Sequence, residues 1–176
     1  MSTHNCEDSD MIEPGSAARR KPTVWKRTLV PAGLLAGLTF CVPHPVALAE
    51  APPEELMAKG KKVYETTCVL CHQNTGMGLP DSFPPLVAGS PFTADAAVID
   101  PLKKLGFYED GKVVLGKAET QIEVVMKGIP GTRMFGFGHV LSNDDVAAVV
   151  TYIRNAWGNN SGDVVKPEQV EQFRKK

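Results

Sequence analysis

The strongest pattern of apolar positions lies near the end of the chain and predicts a helix between residues 142 and 158. The apolar positions recur every three or four residues and so share one helical face: Val146, Val149, Val150, Ile153 and Trp157. Ser142 precedes this run as an N-cap, and Gly158 marks its end. Two acidic residues in the first turn, Asp144 and Asp145, favour the positive end of the helix dipole.

A first helix is predicted to start within Pro52-Pro53-Glu54-Glu55 and to run to about Thr67. The proline and the acidic pair that follows it suit the first turn of a helix. One stripe of this helix contains Leu56, Gly60, Val63 and Tyr64. Because a glycine inside a helix costs stability, Gly60 indicates that a partner helix packs closely against its bare backbone.

Weaker patterns occupy the middle of the chain. Asp100-Pro101 can start a short helix that stops near Gly106. Residues 107–115 contain an Asp-Gly turn between apolar flanks, which suggests a small hairpin. Residues 120–123, Thr-Gln-Ile-Glu, have the form of a capping box, and Gly128 closes the short helix that this box would open.

Long loops rich in glycine and proline separate these elements, at residues 73–91 and 131–138. The tail, residues 159–176, is mostly polar, and no alternation is long enough for a sheet. We therefore expect an all-α fold of short helices. Loops of this length are unusual in a bare helical bundle, but they fit a chain that wraps around a large apolar cofactor.

The first 49 residues have the features of an export signal. Five basic side chains precede an apolar run at residues 29–42, and Ala47-Leu48-Ala49 fits a cleavage site. The run is shorter than the roughly 20 residues that a membrane-spanning helix needs. We predict an N-terminal extension and signal peptide in residues 1–49 and an exported, periplasmic domain in residues 50–176. An uncleaved membrane anchor is the alternative.

Charge and cysteine content narrow the class of protein. The chain has 19 basic and 20 acidic residues, and residues 50–176 have 14 and 16, a net charge of −2, so nothing points to nucleic acid as a partner. Cys6 and Cys41 lie in the N-terminal segment, which leaves Cys68 and Cys71. In an oxidising compartment such a pair forms a disulfide, a metal-ligand pair or a thioether pair.

Cys68-Val69-Leu70-Cys71-His72 is the most specific motif, because Cys-x-x-Cys-His is the attachment signature of c-type haem. Residues three apart share one helical face, so both thiols can add to one haem, and His72 is then held beneath the iron as an axial ligand. A zinc site that adds His139 is an alternative, although the adjacent Cys71 and His72 fit zinc spacing poorly. A disulfide or a thioredoxin-like redox pair is less favoured, since no βαβ pattern surrounds the motif.

A sixth iron ligand must come from elsewhere in the chain. The residues of suitable type are these: His139, Met57, Met77, Met126 and Met134. The first two methionines are too near His72 in sequence to reach the opposite face of a haem, and Met126 lies among apolar neighbours inside a predicted helix. Met134 lies in the 131–138 loop and is the preferred candidate. His139 is the second.

A series of short motifs runs in order along the chain: Gly60-x3-Tyr64, Cys68-x2-Cys71-His72, Gly76-x-Gly78-x-Pro80, Phe83-Pro84-Pro85-Leu86, Met134-x2-Phe137-Gly138 and Leu141-Ser142-x-Asp144-Asp145-Val146-Ala147. In this order the motifs resemble a monohaem class I cytochrome c, over nearly all of residues 53–173. Residues 149–165 are especially similar to the cytochrome c domain of caa-type oxidase subunit II and to small cytochrome subunits of periplasmic dehydrogenases. No copper-binding motif of oxidase subunit II is present.

The resemblance implies a class I cytochrome c fold around one covalent haem c. It implies attachment through Cys68 and Cys71, with His72 and Met134 as the axial ligands of the iron. Two features depart from the family. Phe135 follows the ligand methionine where members often have proline, and residues 92–117 match the family poorly.

The resemblance also implies two packing features. Gly60 and Tyr64 would cross the last helix near Val149 and Tyr152. A backbone carbonyl of the Pro84-Pro85 pair would orient the axial histidine, as outer partners of metal ligands commonly do.

Two strong axial ligands leave no open position on iron, so we expect one-electron transfer and not catalysis. The expected partners are a quinol-oxidising complex or dehydrogenase and a terminal oxidase or reductase. A stably bound subunit of a dehydrogenase or oxidase complex is the second hypothesis, and a haem enzyme or gas sensor with a labile ligand is the third. Docking of a partner commonly uses charge around an exposed haem edge, and the candidate lysines are Lys59, Lys61, Lys62, Lys103, Lys104 and Lys127. A solvated surface with no partner is the equally favoured alternative for each of them.

Overall fold

The computed structural model describes residues 51–175. The predicted signal segment and the boundary before residue 50 lie outside these residues and stay predictions. The elements are α1 (Glu54–Thr67), α2 (Val69–His72), α3 (Ala96–Leu105), β1 (Tyr108–Glu109), β2 (Lys112–Val113), α4 (Ala118–Lys127), α5 (Asn143–Asn155) and α6 (Pro167–Arg174). Within the described range, no helix has the length and apolar character needed to cross a membrane.

Helices α1 and α5 cross at Gly60, where the two backbones touch. A Cβ atom at Gly60 would lie 2.2 Å from the Ala148 carbonyl oxygen and 2.6 Å from Tyr152 Cβ. One turn further along α1, Tyr64 packs its ring 5.7 Å from the ring of Tyr152, measured between centroids. The predicted close partner of Gly60 is therefore confirmed, with Ala148 and Tyr152 as the nearest residues.

Helix α5 has the cap that the sequence predicts but ends earlier. The Ser142 hydroxyl accepts from the Asp145 N–H at 3.1 Å, and the Asp145 carboxylate accepts from the Ser142 N–H at 3.2 Å. The helix stops at Asn155, and Trp157 takes a positive φ of 56°. Trp157 leaves the helix because its indole N–H donates to the Asn74 carbonyl at 3.0 Å, which ties it to the loop after α2.

The hydrophobic core forms where α1, α4, α5 and α6 meet. Its fully buried side chains include Tyr64, Ile122, Val146, Val149, Val150 and Val170. Helix α6 lies in residues 159–176, for which the sequence predicts only a mostly polar tail. Val170 places it on this core, and the Arg174 guanidinium donates to the carbonyls of Gly138 and Leu141.

Two predicted helix starts are wrong. Helix α3 begins at Ala96 and not at Asp100, so Pro101 lies inside it. The helix persists around the proline because Ile99 and Leu102 are buried in a second apolar cluster with Phe92 and Val113.

The start of α4 is the second error. This helix begins at Ala118, which places Thr120 and Glu123 inside it instead of at a capping box. Glu123 instead pairs with Lys127 one turn later, at 3.0 Å. The predicted end is confirmed, because Gly128 is the C-cap and its N–H donates to the Val124 carbonyl at 2.8 Å.

The predicted hairpin in residues 107–115 is confirmed. Strands β1 and β2 pair antiparallel, with Tyr108 opposite Val113 and Glu109 opposite Lys112. Both turn residues, Asp110 and Gly111, have positive φ, as a tight two-residue hairpin turn requires.

The contact at Gly60 can be tested with Gly60→Ala. Alanine is the better helix former, but its methyl group would overlap backbone atoms of α5, and we expect a net loss of about 2 kcal/mol in the free energy of unfolding. Chemical denaturation measures this loss. Ala58→Gly, at an exposed position of α1, is the control and should cost about 1 kcal/mol through helix propensity alone. A more stable Gly60→Ala protein would contradict the close crossing.

The cap of α5 predicts a pH-dependent contribution to stability. The pKa of Asp145 is lowered by its hydrogen bond with the Ser142 side chain and, less strongly, by Lys59 at 3.2 Å. A carboxylate whose pKa is lower in the folded state stabilises the protein above its unfolded pKa, and this stability is lost as the pH falls through the folded value.

We therefore expect Asp145→Asn to lower the free energy of unfolding by about 0.5–1 kcal/mol at pH 7. The difference from the parent protein should shrink below about pH 4, which urea titrations at a series of pH values measure. Asp144→Asn, on the same helical turn, removes an equal charge outside the capping bonds and is the control. An Asp145→Asn deficit that stayed constant down to pH 2 would rule out this role of the carboxylate.

Candidate functional site

All four predicted site residues line one large cavity in the described part of the chain. It has a volume of about 510 Å³, and Cys68, Cys71, His72 and Met134 line it. This volume lies within the range of small-molecule and cofactor sites. Most of the wall is apolar, including Leu86, Val98, Leu102, Phe107, Val125 and Ile153.

The end of α1 and the single turn of α2 place the two thiols on this cavity. The His72 N–H donates to the Cys68 carbonyl at 3.0 Å, and the Cys71 N–H lies 3.3 Å from the same oxygen. This turn brings Cys68 and Cys71 to one wall, as the three-residue spacing predicts. No disulfide joins these two cysteines.

His72 is buried and held in one orientation. Its Nδ1 atom lies 3.0 Å from the Pro84 carbonyl oxygen. Because a carbonyl can only accept, Nδ1 carries the proton of the neutral ring and Nε2 keeps its lone pair for a metal. Burial lowers the pKa of His72, which also favours the neutral ring. Of the two prolines that the resemblance offered, Pro84 is therefore the one in contact.

The loop that carries Pro84 is folded back onto the motif. The Gly78 N–H donates to the His72 carbonyl at 3.0 Å. Gly78 has a φ of 63°, and a Cβ atom there would lie 2.1 Å from the Phe83 carbonyl oxygen. Only glycine permits this approach, so Gly78 allows the loop to bring Pro84 to the ring of His72.

Met134 is held on another part of the wall by the backbone of its loop. The Ile129 N–H donates to the Met134 carbonyl at 2.9 Å, and the Phe137 N–H donates to the Val125 carbonyl at 2.8 Å. These bonds tie both sides of Met134 to the end of α4. The other candidates for a sixth ligand, His139 and the three remaining methionines of residues 51–175, do not line the cavity.

The described residues do not support the zinc alternative. His139 is exposed and lies away from the cavity wall. Residues 51–175 contain no group of three or more His, Cys, Asp or Glu side chains that could hold a metal ion.

Residues 92–117, whose role the sequence left undefined, form part of the cavity. Helix α3 contributes Val98 and Leu102, and the hairpin and its flanks contribute Phe107 and Val113. Val98 and Leu102 are four residues apart and so share one helical face, and this spacing could have indicated from the sequence that the segment covers an apolar site. Sequence reasoning also missed Gln121, a buried polar side chain of α4 on the same cavity.

The arrangement fits a haem bound through two thioethers. It has two thiols on one turn, a neutral imidazole whose Nε2 is available, a thioether from a separate loop and a mainly apolar wall. These are the groups that hold covalent haem in proteins that transfer electrons.

Comparisons with known proteins agree with this geometry. A family model described as "Cytochrome c" matches residues 57–157. The chain is 36% identical to cytochrome c-552 of Thermus thermophilus over 135 residues, 76% of this chain and 74% of the relative.

Two larger relatives are subunits of dehydrogenases. The cytochrome c subunit of alcohol dehydrogenase (quinone) from Gluconobacter oxydans is 30% identical over 115 residues, 65% of this chain and 22% of the relative. The gluconate 2-dehydrogenase cytochrome c subunit of Pantoea cypripedii is 30% identical over 122 residues, 66% of this chain and 24% of the relative. The chain thus spans less than a quarter of the length of these subunits. Because the family model covers more than half of the chain and the cavity fits the cofactor, the chain belongs to the cytochrome c family and binds haem c covalently.

Proposed function

We propose that this protein is a one-electron carrier of a periplasmic respiratory chain. Cys68 and Cys71 form the thioethers to haem, and His72 and Met134 are the axial ligands. The observation that carries the proposal is the single cavity in which these four side chains meet. Residues 1–49 direct export, and a membrane tether remains only if this segment is not cleaved.

Each part of the site has a task that its structure supports. Haem, when bound, supplies an iron that changes its charge by one electron. The Pro84 carbonyl keeps His72 in the tautomer that can bind a metal. Backbone bonds fix the loop of Met134, and the apolar wall excludes water from the ligands. A thioether ligand favours the reduced iron and so raises the reduction potential.

Two protein ligands leave no iron position for a substrate, which supports a carrier rather than an enzyme. Among the residues of the cavity wall, His72 is the only histidine and Met134 the only methionine. The wall therefore offers one sulfur ligand and one nitrogen ligand, as in cytochromes that transfer electrons.

The expected partners are redox proteins: a quinol-oxidising complex or dehydrogenase as donor, and a terminal oxidase or reductase as acceptor. The likeness to cytochrome c-552 over three quarters of both chains supports a small independent carrier. The likeness to dehydrogenase subunits supports the second candidate, a stably bound subunit of an enzyme complex. Affinity purification of the tagged protein from its own membranes and periplasm separates them, since only a stable subunit is recovered at a fixed ratio with a partner.

The role of Met134 is tested by Met134→Ala in the exported holoprotein. Bonding of the methionine sulfur to ferric haem gives a weak absorption band in the red region, and we expect this band to be lost. The reduction potential should fall at the same time, because the ligand that favours the reduced iron is gone. Absorption spectroscopy with a redox titration measures both.

Met126→Leu is the matched control, since Met126 lies outside the cavity wall and the change nearly conserves volume. It should keep the band and the potential. An unchanged spectrum in Met134→Ala, or loss of the band in Met126→Leu, would show that Met134 is not the ligand.

The lysines that could guide docking differ in their ion pairs and in their distance along the chain from the cavity wall. Lys59, Lys61 and Lys127 already pair with carboxylates, at 3.2, 3.8 and 3.0 Å. Lys103 and Lys104 lie on α3, a helix that forms part of the cavity wall. These two lysines are therefore the best placed to attract an acidic partner to the haem.

We expect the rate of electron transfer to a purified acidic copper protein to fall as salt is added. Combined Lys103→Glu and Lys104→Glu substitutions should lower the rate at low ionic strength by about tenfold, because the charges that steer association are reversed. Stopped-flow absorption at several salt concentrations measures the rates.

The control for this charge reversal is Lys62→Glu. Lys62 lies on α1, of which only Thr67 reaches the cavity. Equal effects of the α1 and α3 substitutions, or a parent rate that is independent of salt, would argue against steering by α3.

A further inference from the structure

The loop that carries Met134 lies directly on the last turn of α4. The Gly138 N–H donates to the Met126 carbonyl at 3.0 Å. A Cβ atom at Gly138 would lie 2.8 Å from the Met126 carbonyl oxygen, and one at Gly136 would lie 2.6 Å from the Lys127 carbonyl carbon. These distances leave no room for a side chain, so the two glycines allow the backbone of the loop to touch the backbone of α4.

Helix α6 holds the end of the same loop through Arg174. Although this residue is exposed, each of its three side-chain nitrogen atoms donates to an oxygen. Nη1 donates to the Gly138 carbonyl, Nη2 to the Leu141 carbonyl and Nε to Asn143 Oδ1. The guanidinium is planar and presents its donors as a rigid fork, so it ties the end of the loop to the start of α5 in one arrangement. Gly138 is thus bonded on both sides, by its N–H to α4 and by its carbonyl to α6.

Helix α6 is itself fixed to the hydrophobic core. Val170 is fully buried among side chains of the other helices. Just before the helix, the Val165 N–H donates to the buried Thr151 hydroxyl of α5 at 2.9 Å. Arg174 therefore projects from a firmly held helix and not from a loose chain end.

These bonds bear on how tightly the proposed sixth ligand is held. Met134 lies four residues before Gly138. A ligand that is fixed in its bound conformation binds more tightly, because less conformational entropy is lost on binding. An external ligand replaces the methionine only when this loop opens, so each bond that ties the loop down disfavours the exchange.

We propose that Arg174 is a positioning residue for Met134. By binding the Gly138 and Leu141 carbonyls, it holds the loop against α4 and so keeps the sixth position of the iron closed to external ligands. This proposal rests on the haem site and on the methionine ligation proposed above. It makes α6 the part of the fold that guards the iron site of a carrier against unwanted ligands.

The test is the affinity of the ferric holoprotein for imidazole, measured by titration as the red-region band of methionine ligation disappears. We expect Arg174→Leu to bind imidazole about tenfold more tightly than the parent, the change that loss of one hydrogen bond produces. Without imidazole, its haem content and red-region band should match those of the parent. Arg174→Lys retains the charge and one donor group, and its affinity should lie between the two.

Two controls separate this role from charge and from general stability. Lys175→Leu removes an equal charge at the end of α6, where Lys175 pairs with Glu171 at 2.6 Å and does not bond to the loop. Ala58→Gly lowers stability through helix propensity alone. Both variants should bind imidazole as the parent does.

The outcomes distinguish this proposal from the proposed function. A parent holoprotein without the red-region band would overturn both, since Met134 would not be a ligand. A parent with this band and an unchanged imidazole affinity in Arg174→Leu would overturn only the role of Arg174. An equal gain of affinity in Lys175→Leu or in Ala58→Gly would overturn it as well, because charge or general stability would then explain the effect.

A crystal structure of the parent holoprotein gives a measurement that does not depend on the folding of a variant. It should place the Arg174 guanidinium within about 3.2 Å of the Gly138 and Leu141 carbonyl oxygens. An Arg174 side chain that points into solvent would rule out the proposed tie.

Discussion

The close crossing of α1 and α5 at Gly60 is the contact on which the rest of the structure depends. The nearest approach involves the Ala148 carbonyl and Tyr152, so no other residue type fits at position 60 without a shift of backbone. Helix α1 leads directly into Cys68 and the turn of the haem motif. Helix α5 leads into Trp157 and Asn159, which hydrogen-bond to the loop that follows this motif. The two helices thus position both the motif and the loop that carries Pro84.

The side chains after α5 replace the regular structure that the 73–91 loop lacks. Asn159 accepts from the Ala88 N–H at 2.9 Å and donates to the Leu86 and Ile153 carbonyls, both at 2.8 Å. Trp157 donates to Asn74 at the start of the same loop. Buried backbone groups need such partners where no helix or sheet provides them. The position of the Pro84 carbonyl therefore depends on residues more than 70 positions away in the chain.

The features that sequence predicted well are local ones. The cap of α5 needs only Ser142 and Asp145, and the placement of two thiols on one wall needs only one helical turn. Gly60 also predicted a closely packed partner helix, because a glycine inside a helix lowers the stability of the helix unless something packs against it. One motif and one loop methionine predict the four site residues; these residues line one cavity, and their roles in binding haem stay predictions.

The features that sequence missed depend on distant contacts. Helix α6 is held by Val170 in a core whose other members come from α1, α4 and α5. Helix α3 extends past Pro101 because a separate apolar cluster stabilises it. The place of Gln121 on the cavity wall could not be predicted, since a single glutamine in an amphipathic helix is expected on the surface. Only the fold shows that Arg154, 33 positions later, buries and orients it.

These contacts also bear on how a carrier can exchange electrons quickly. A site that keeps the same geometry in both oxidation states has little to reorganise when the charge changes, which is the advantage of groups fixed in advance. Backbone hydrogen bonds hold the loops of both proposed ligands, and His72 is held by a carbonyl instead of a mobile side chain. The polar groups behind the wall are fixed as well, because Arg154 is bound by a carboxylate and two carbonyls. The loops around this cavity are long, but hydrogen bonds fix them around the two proposed ligands, and such a preset arrangement is what one-electron transfer at a closed iron site requires.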